Sequence, residues 1–228
     1  MPLKKASGNM YDFITHTWNP VRGKCQYDCS YCYVKRWGEQ SHIHLDKGEM
    51  KVDLGEGNYI FVCSGCDLFA SDVPSDWIYS VMERTRFFPK NLYLWHTKNP
   101  ARVLNYHFSN RDMLCVTIES NREYPRYSKA PQPWARFKAL EEWKHPYKLT
   151  IEPVMTFDAD VFLGRMSVAG FPVQVNIGAD SGRNNLPEPS REELIKLING
   201  LARRTKVHLK KNLRRLLPEH ELYGGECG

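Results

Sequence analysis

Short apolar runs alternate along this chain with longer polar stretches of helical period. Phe13–Trp18, Tyr59–Cys63, Leu92–Thr97, Leu114–Glu119, Lys148–Val154, Val173–Ile177 and Lys206–Leu209 read as strands. They are four to eight residues long and rich in β-branched and aromatic side chains, as buried strands are. Three helices stand out between them. Asp76–Phe87 follows Pro74-Ser75, and Pro89 stops it; Pro133–His145 is bounded by prolines on both sides. Ser190–Arg203 opens on the capping box Ser190-Arg-Glu-Glu193 and carries Leu194, Leu197, Ile198 and Leu201 on one face.

Strands alternating with helices imply βαβ units and a parallel sheet. Six or seven such units make a full or partial barrel, whose chemistry sits on the loops after the carboxyl ends of the strands. The unusual polar residues fall there: Asn19, Ser64 to Asp67, Lys98, Glu119 with Ser120, Glu152, and Gly178 to Ser181. No repeat, low-complexity tract or linker interrupts the pattern, so a single domain over residues 1–228 is expected.

Composition narrows the class. The chain of 228 residues is 42% hydrophobic and 12% aromatic, which suits a folded globular protein. The N-terminus shows no apolar signal region and no run reaches the roughly 18 apolar residues of a spanning helix. A cytoplasmic protein with no membrane partner is expected. A formal net charge of +6 and a pI near 8.9 suit a polyanionic partner, but are weaker than in a dedicated nucleic-acid module.

The seven cysteines change the picture more. In a reducing compartment, closely spaced cysteines are metal ligands or reactive thiols more often than disulfides. Cys25-Gln-Tyr-Asp-Cys29-Ser-Tyr-Cys32 places three thiols at x3 and x2 spacing in a polar loop. Three thiolates wrap one face of an iron–sulfur cluster and leave one iron open to a ligand, as catalytic metal sites do. The alternatives are three buried cysteines on a helix face, or a zinc site completed by Cys63, Cys66 or His16.

This loop, with Tyr31 before its last cysteine, resembles the motif of the radical S-adenosylmethionine (radical SAM) superfamily. Further pieces recur in order: Thr17-Trp-Asn-Pro20, Ser64-x-x-Asp67-Leu-Phe69, Thr97-Lys-Asn-Pro100, Thr117-Ile-Glu119, Ile151-Glu-Pro153 and Gly178-x-x-Ser-Gly182. The succession is similar to a phage and prokaryotic radical SAM family of poorly defined function, distantly similar to spore photoproduct lyase. It spans Phe13 to about Asn212. The resemblance implies an α/β fold, a partial (β/α)6 TIM-like barrel of the radical SAM type. It implies a [4Fe–4S] cluster on Cys25, Cys29 and Cys32, and SAM on the open iron. It implies reductive cleavage of SAM to a 5′-deoxyadenosyl radical that abstracts hydrogen, with a reductase or flavodoxin-type electron donor. The chain departs from the family in its compact cysteine loop, in lacking Gly-Gly-Glu, and in the pair Cys63 and Cys66.

By the same resemblance, Tyr31 lines the adenine, Ser64 and Asp67 occupy the region that receives the SAM amino group, and Lys98 pairs with the carboxylate. Glu119 bonds the ribose and Gly178 allows close approach at the adenine end. A charged residue closing the apolar strand Leu114–Glu119 also needs a partner on purely physical grounds. Three readings stay open for Cys63 and Cys66: small buried residues, ligands of a second cluster with Cys115 and Cys227, or a thiol that returns hydrogen to a product radical, with Cys66 the candidate.

Basic residues gather in Arg203–Arg215, and aromatic and basic residues interleave in Arg122–Arg136. Such surfaces suit unstacked bases, although a solvated helix carries the same charges. Taken with the resemblance to a DNA-repair lyase, which implies it, a nucleic acid or nucleotide is the expected substrate, by repair-like cleavage or modification of a thymine side chain. A peptide or metabolite substrate, and a zinc-dependent binding module, are the alternatives.

Overall fold

The computed structural model describes residues 3–8 and 10–217; Cys227 lies outside the described residues. The chain divides into two compact units. Among the described residues, one holds 3–8, 10–28 and 32–115, the other 29–31 and 116–217.

The first unit contains β1 (Lys4–Lys5), β2 (His16–Trp18), β3 (Val21–Arg22), β4 (His44–Leu45), β5 (Tyr59–Val62), α1 (Ser75–Arg86), β6 (Leu92–Thr97), α2 (Pro100–Val103) and the start of β7 (Asp112–Thr117). Its strand order is β1-β2-β5-β6-β7, and β3 pairs with β4 as a separate ribbon. β2, β5 and β6 run parallel, with His16 opposite Ile60 and Ile60 opposite Tyr93. Ile60, Phe61 and Val62 are all buried, which is why the strand shows no polar alternation. α1 buries Ile78, Val81, Met82 and Thr85, one stripe of helical period. The first strand is shorter than the expected Phe13–Trp18. Phe13 instead stacks on Tyr11 at 5.4 Å, and Ile14 N–H closes a turn onto Tyr11 C=O at 2.9 Å. Tyr11 and Ile14 join Phe61, Leu94 and Cys115 in a core cluster, so Cys115 serves there as a small apolar residue.

The second unit contains the end of β7, α3 (Pro133–Glu142), β8 (Tyr147–Ile151), α4 (Ala159–Ala169), β9 (Gln174–Ile177), α5 (Arg191–Ala202) and β10 (Lys206–Leu209), with strand order β7-β8-β9-β10. β8, β9 and β10 are parallel; Gln174 stands opposite both Lys148 and Lys206. Phe162 of α4 packs edge-on against Phe137 of α3 at 5.4 Å and against Phe157 at 6.0 Å. The capping box forms only in part. Ser190 Oγ accepts from Glu193 N–H at 3.2 Å, but the Glu193 carboxylate accepts from Ala159 N–H of α4 at 3.0 Å. Asp158 caps α4 by accepting from Val161 N–H at 2.9 Å.

Strands and helices alternate as the pattern implied, in a mixed α/β chain whose sheet is largely parallel. No helix among the described residues is long and apolar enough to cross a membrane.

Candidate functional site

The three loop cysteines are in no disulfide, Cys25 and Cys32 half-buried and Cys29 buried. In the first unit, Asp28 N–H bonds to Cys25 C=O at 3.3 Å, and Asp28 takes a left-handed φ of 44°, which an aspartate tolerates. Lys35 closes on the Asp28 carboxylate at 2.8 Å. Cys32 immediately precedes a 3₁₀ helix, Tyr33–Trp37, and accepts from Lys35 N–H at 3.1 Å. Upstream, Gly23 has a φ of 110°, and a Cβ there would stand 2.5 Å from the His42 carbonyl oxygen. Only glycine lets the loop pass that backbone. In the second unit, Cys29 Sγ lies 3.1 Å from Ser128 Oγ and Ser30 N–H bonds to Tyr127 C=O at 2.8 Å. Among the described residues, no three His, Cys, Asp or Glu side chains stand together as a ready-made metal group. The donor set itself, three cysteines of soft ligand character in no disulfide on one short loop, fits an iron–sulfur cluster.

The loop after β5 carries four of the residues singled out above. Asn19 organises it: its Oδ1 accepts from Ser64 Oγ and from Gly65 N–H, both at 3.1 Å. The Tyr33 hydroxyl donates to Ser64 C=O. Cys63 is 2% exposed and left-handed at φ 56°; Cys66 is 9% exposed and donates to Val21 C=O at 3.1 Å. The adjacent Cys63 thiol, then burial, holds the Cys66 thiol well above its ordinary pKa, so it is protonated. The Asp67 carboxylate accepts from Phe69 N–H at 3.0 Å, Thr97 Oγ1 at 2.8 Å and Lys98 N–H at 2.7 Å. It thereby ties this loop to the end of β6. Burial raises its pKa, against the pull of those donors. Lys98 is placed by its backbone in the same knot, with a half-buried side chain.

In the second unit, Glu119 has the partner that a carboxylate closing an apolar strand requires. Glu119 and Arg136 are each 3% exposed and joined at 2.7 Å. Arg136 also donates to Thr117 C=O at 2.7 Å and Pro131 C=O at 2.6 Å. Tyr31 donates its hydroxyl to the other Glu119 oxygen at 2.6 Å. Burial first, and the Glu119 charge second, raise the Tyr31 phenol well above its usual pKa. These groups line a small cleft with Ser120, Tyr124 and Ser128.

At the ends of β8, β9 and β10, Lys210 Nζ lies 2.6 Å from the Glu152 carboxylate and Asn212 Nδ2 donates to it at 2.8 Å. Gly178 makes room for this group. A Cβ there would sit 2.7 Å from Glu152 Oε1 and 2.9 Å from Asn212 Oδ1. Arg136, Lys210 and Asn212 in these roles are residues that sequence reasoning missed. For Arg136 a signal existed: it falls with Pro133, Phe137 and Leu140 on one buried stripe of α3. A charge on such a stripe needs a buried counter-charge.

This fold matches that of a known enzyme. A single-site mutant of spore photoproduct lyase superposes with a TM-score of 0.60 at 11% identity, covering 92% of this chain and 76% of that one. A mutant with dinucleoside spore photoproduct gives 0.61 at 10% identity, covering 95% and 79%. A double mutant with bound AdoMet and dinucleoside spore photoproduct gives 0.60 at 10% identity, with the same coverage. The architecture is thus that of the spore photoproduct lyase fold, and the expected partial TIM-like barrel fits it. The chain belongs to the family described as "Protein of unknown function (DUF5131)", whose model matches residues 9–141. No curated protein matches it in sequence.

Proposed function

We propose that this chain is a radical SAM enzyme, one domain over residues 1–228, acting on a nucleic acid base or modified nucleotide. The observation that carries the reading is Cys25-x3-Cys29-x2-Cys32, three cysteines in no disulfide on a chain with the fold of spore photoproduct lyase. Cys25, Cys29 and Cys32 would hold a [4Fe–4S] cluster with one iron open. When bound, the cluster and S-adenosylmethionine supply a carbon radical able to take hydrogen from substrate, after an electron arrives from a reductase or flavodoxin-type donor. Tyr31, Ser64, Lys98 and Gly178 are assigned to SAM. Asp67 and Glu119 are assigned there too, and the partners they already hold make them positioning residues as well. Cys66, kept protonated, is the residue we assign to returning a hydrogen atom. A nucleotide substrate is supported by the dinucleoside lesion in the structurally similar lyase and by the net charge of +6.

The test is anaerobic purification, reconstitution with iron and sulfide, and absorption and EPR spectra with and without SAM. Broad visible absorption, an EPR signal that SAM perturbs, and 5′-deoxyadenosine on reduction are expected. Cys29→Ala should abolish all three. A colourless, zinc-loaded protein indifferent to SAM overturns the reading, and SAM cleavage stimulated by a peptide or metabolite but by no nucleotide overturns its substrate half.

A further inference from the structure

Two large aromatic side chains stand in solvent beside the β5 loop. Trp37 is 63% exposed and Tyr33 45%; Tyr79 and Phe87 of the first unit are exposed as well, on and just after α1. Tyr33 and Trp37 meet edge to face, centroids 5.4 Å apart at 78°, on the 3₁₀ helix Tyr33–Trp37. The Tyr33 hydroxyl is fixed on Ser64 C=O, so its ring cannot swing away. A Cβ at Gly65 would lie 3.8 Å from Trp37 Cζ3, so the indole is seated beside the loop that carries Ser64, Cys66 and Asp67. Together the two rings present a paired aromatic face to water. Between the rings the helix presents Lys35 and Arg36. Lys35 is held by Asp28, while Arg36 is exposed and has no ion-pair partner among the described residues. Rigid aromatic faces flanked by cations are the composition of a platform on which a nucleobase stacks while its phosphate meets the charge.

We infer that Tyr33 and Trp37 form a stacking platform for a base of single-stranded or extruded nucleic acid, with Arg36 on the adjoining phosphate. This deepens the proposed function and rests on its nucleic-acid half. It is tested by fluorescence anisotropy of a labelled oligo-dT strand titrated with reconstituted protein. Trp37→Ala should weaken binding by roughly 5- to 160-fold, the range for loss of one stacked base. Trp37→Phe should restore most of it, and Phe87→Ala, at a ring 73% exposed just after α1, should change nothing. Arg36→Gln should lower the slope of log affinity against log salt by about 0.7, one phosphate contact on a single strand. Wild-type binding that Trp37→Ala leaves unchanged overturns the platform, as does a wild type that binds no oligonucleotide. A dimer lost on Trp37→Ala at unaltered oligonucleotide affinity overturns it in favour of a protein contact. Failure of the radical reading shows separately: Trp37-dependent oligonucleotide binding by a wild type that cleaves no SAM upholds the platform and removes the chemistry.

Discussion

Replacing Arg136 by Met removes a guanidinium that is 3% exposed and holds the equally buried Glu119 carboxylate at 2.7 Å. Methionine replaces the apolar stem and stops short of the guanidinium, so the packing along the stem is kept. The charge left behind is what costs. Breaking a buried ion pair by deleting one partner typically destabilises by about 3–5 kcal/mol, because the remaining carboxylate stays desolvated. The Thr117 and Pro131 carbonyls also lose a donor. For a chain of this size that amounts to a fall in Tm of roughly 6–20 °C. Glu119→Leu should cost a similar amount, since it leaves a buried guanidinium in place of a buried carboxylate. The double variant carries neither charge, so its loss should fall short of the sum of the singles by about 0.5–3 kcal/mol. Urea unfolding of the four proteins, with midpoints compared at constant m, measures this cycle. Glu119→Leu should also bring the Tyr31 phenol down, since the carboxylate charge helps to raise it. Additivity within about 0.5 kcal/mol, or a loss below about 1 kcal/mol for Arg136→Met, would refute the buried-pair argument.

Two further substitutions probe the strand ends. Gly178→Ala puts a methyl 2.7 Å from Glu152 Oε1 and should force that carboxylate off Lys210 and Asn212, at about 1–3 kcal/mol of overpacking; an unchanged urea midpoint contradicts this. Asp67→Asn gives up one acceptor of a carboxylate that serves Phe69, Thr97 and Lys98, and should lose about 1–3 kcal/mol near neutral pH. The pH dependence has a definite sign. The folded pKa of Asp67 is raised, so its protonation-linked stability is fully present below the ordinary carboxylate value and is lost as pH rises through the raised one. The gap between wild type and Asp67→Asn should therefore narrow with rising pH across that window, and a gap that widens there contradicts the burial argument.

The strongly patterned strands were legible almost to the residue. Leu92–Thr97 and Lys206–Leu209 match their expected bounds; the first is a largely apolar run, and the second alternates Lys206 and His208 with Val207 and Leu209. The helices α1, α3 and α5 were legible too, though α3 stops at Glu142 because Trp143 turns extended, short of the expected His145. α4 was not. Its sequence puts Gly164 mid-helix amid scattered valine and serine, a weak propensity that the Asp158 cap and packing of Phe162 override. The two-residue strands of the β3–β4 ribbon are too short for any period to register. At the site, the need of Glu119 for a partner could be read from the apolar strand before it, but not which residue supplies it. That depends on α3 turning Arg136 inward, a fact of tertiary packing. Asp67 and Gly178 stood out as polar or bare positions at strand ends. Their neighbours, Thr97 bonded to the Asp67 carboxylate and Asn212 packed where a Gly178 Cβ would stand, are distant from them in sequence.

Glu193 serves two helices at once, taking its own amide bond from Ser190 while its carboxylate receives Ala159 N–H at the start of α4. The first amides of a helix have no partner within it, so their protection depends on whatever caps them. The opening turns of α4 and α5 are therefore bound to fray together. Amide hydrogen exchange at Ala159 and at Glu193 should report one shared local opening, and a slip at the beginning of one helix will loosen the other.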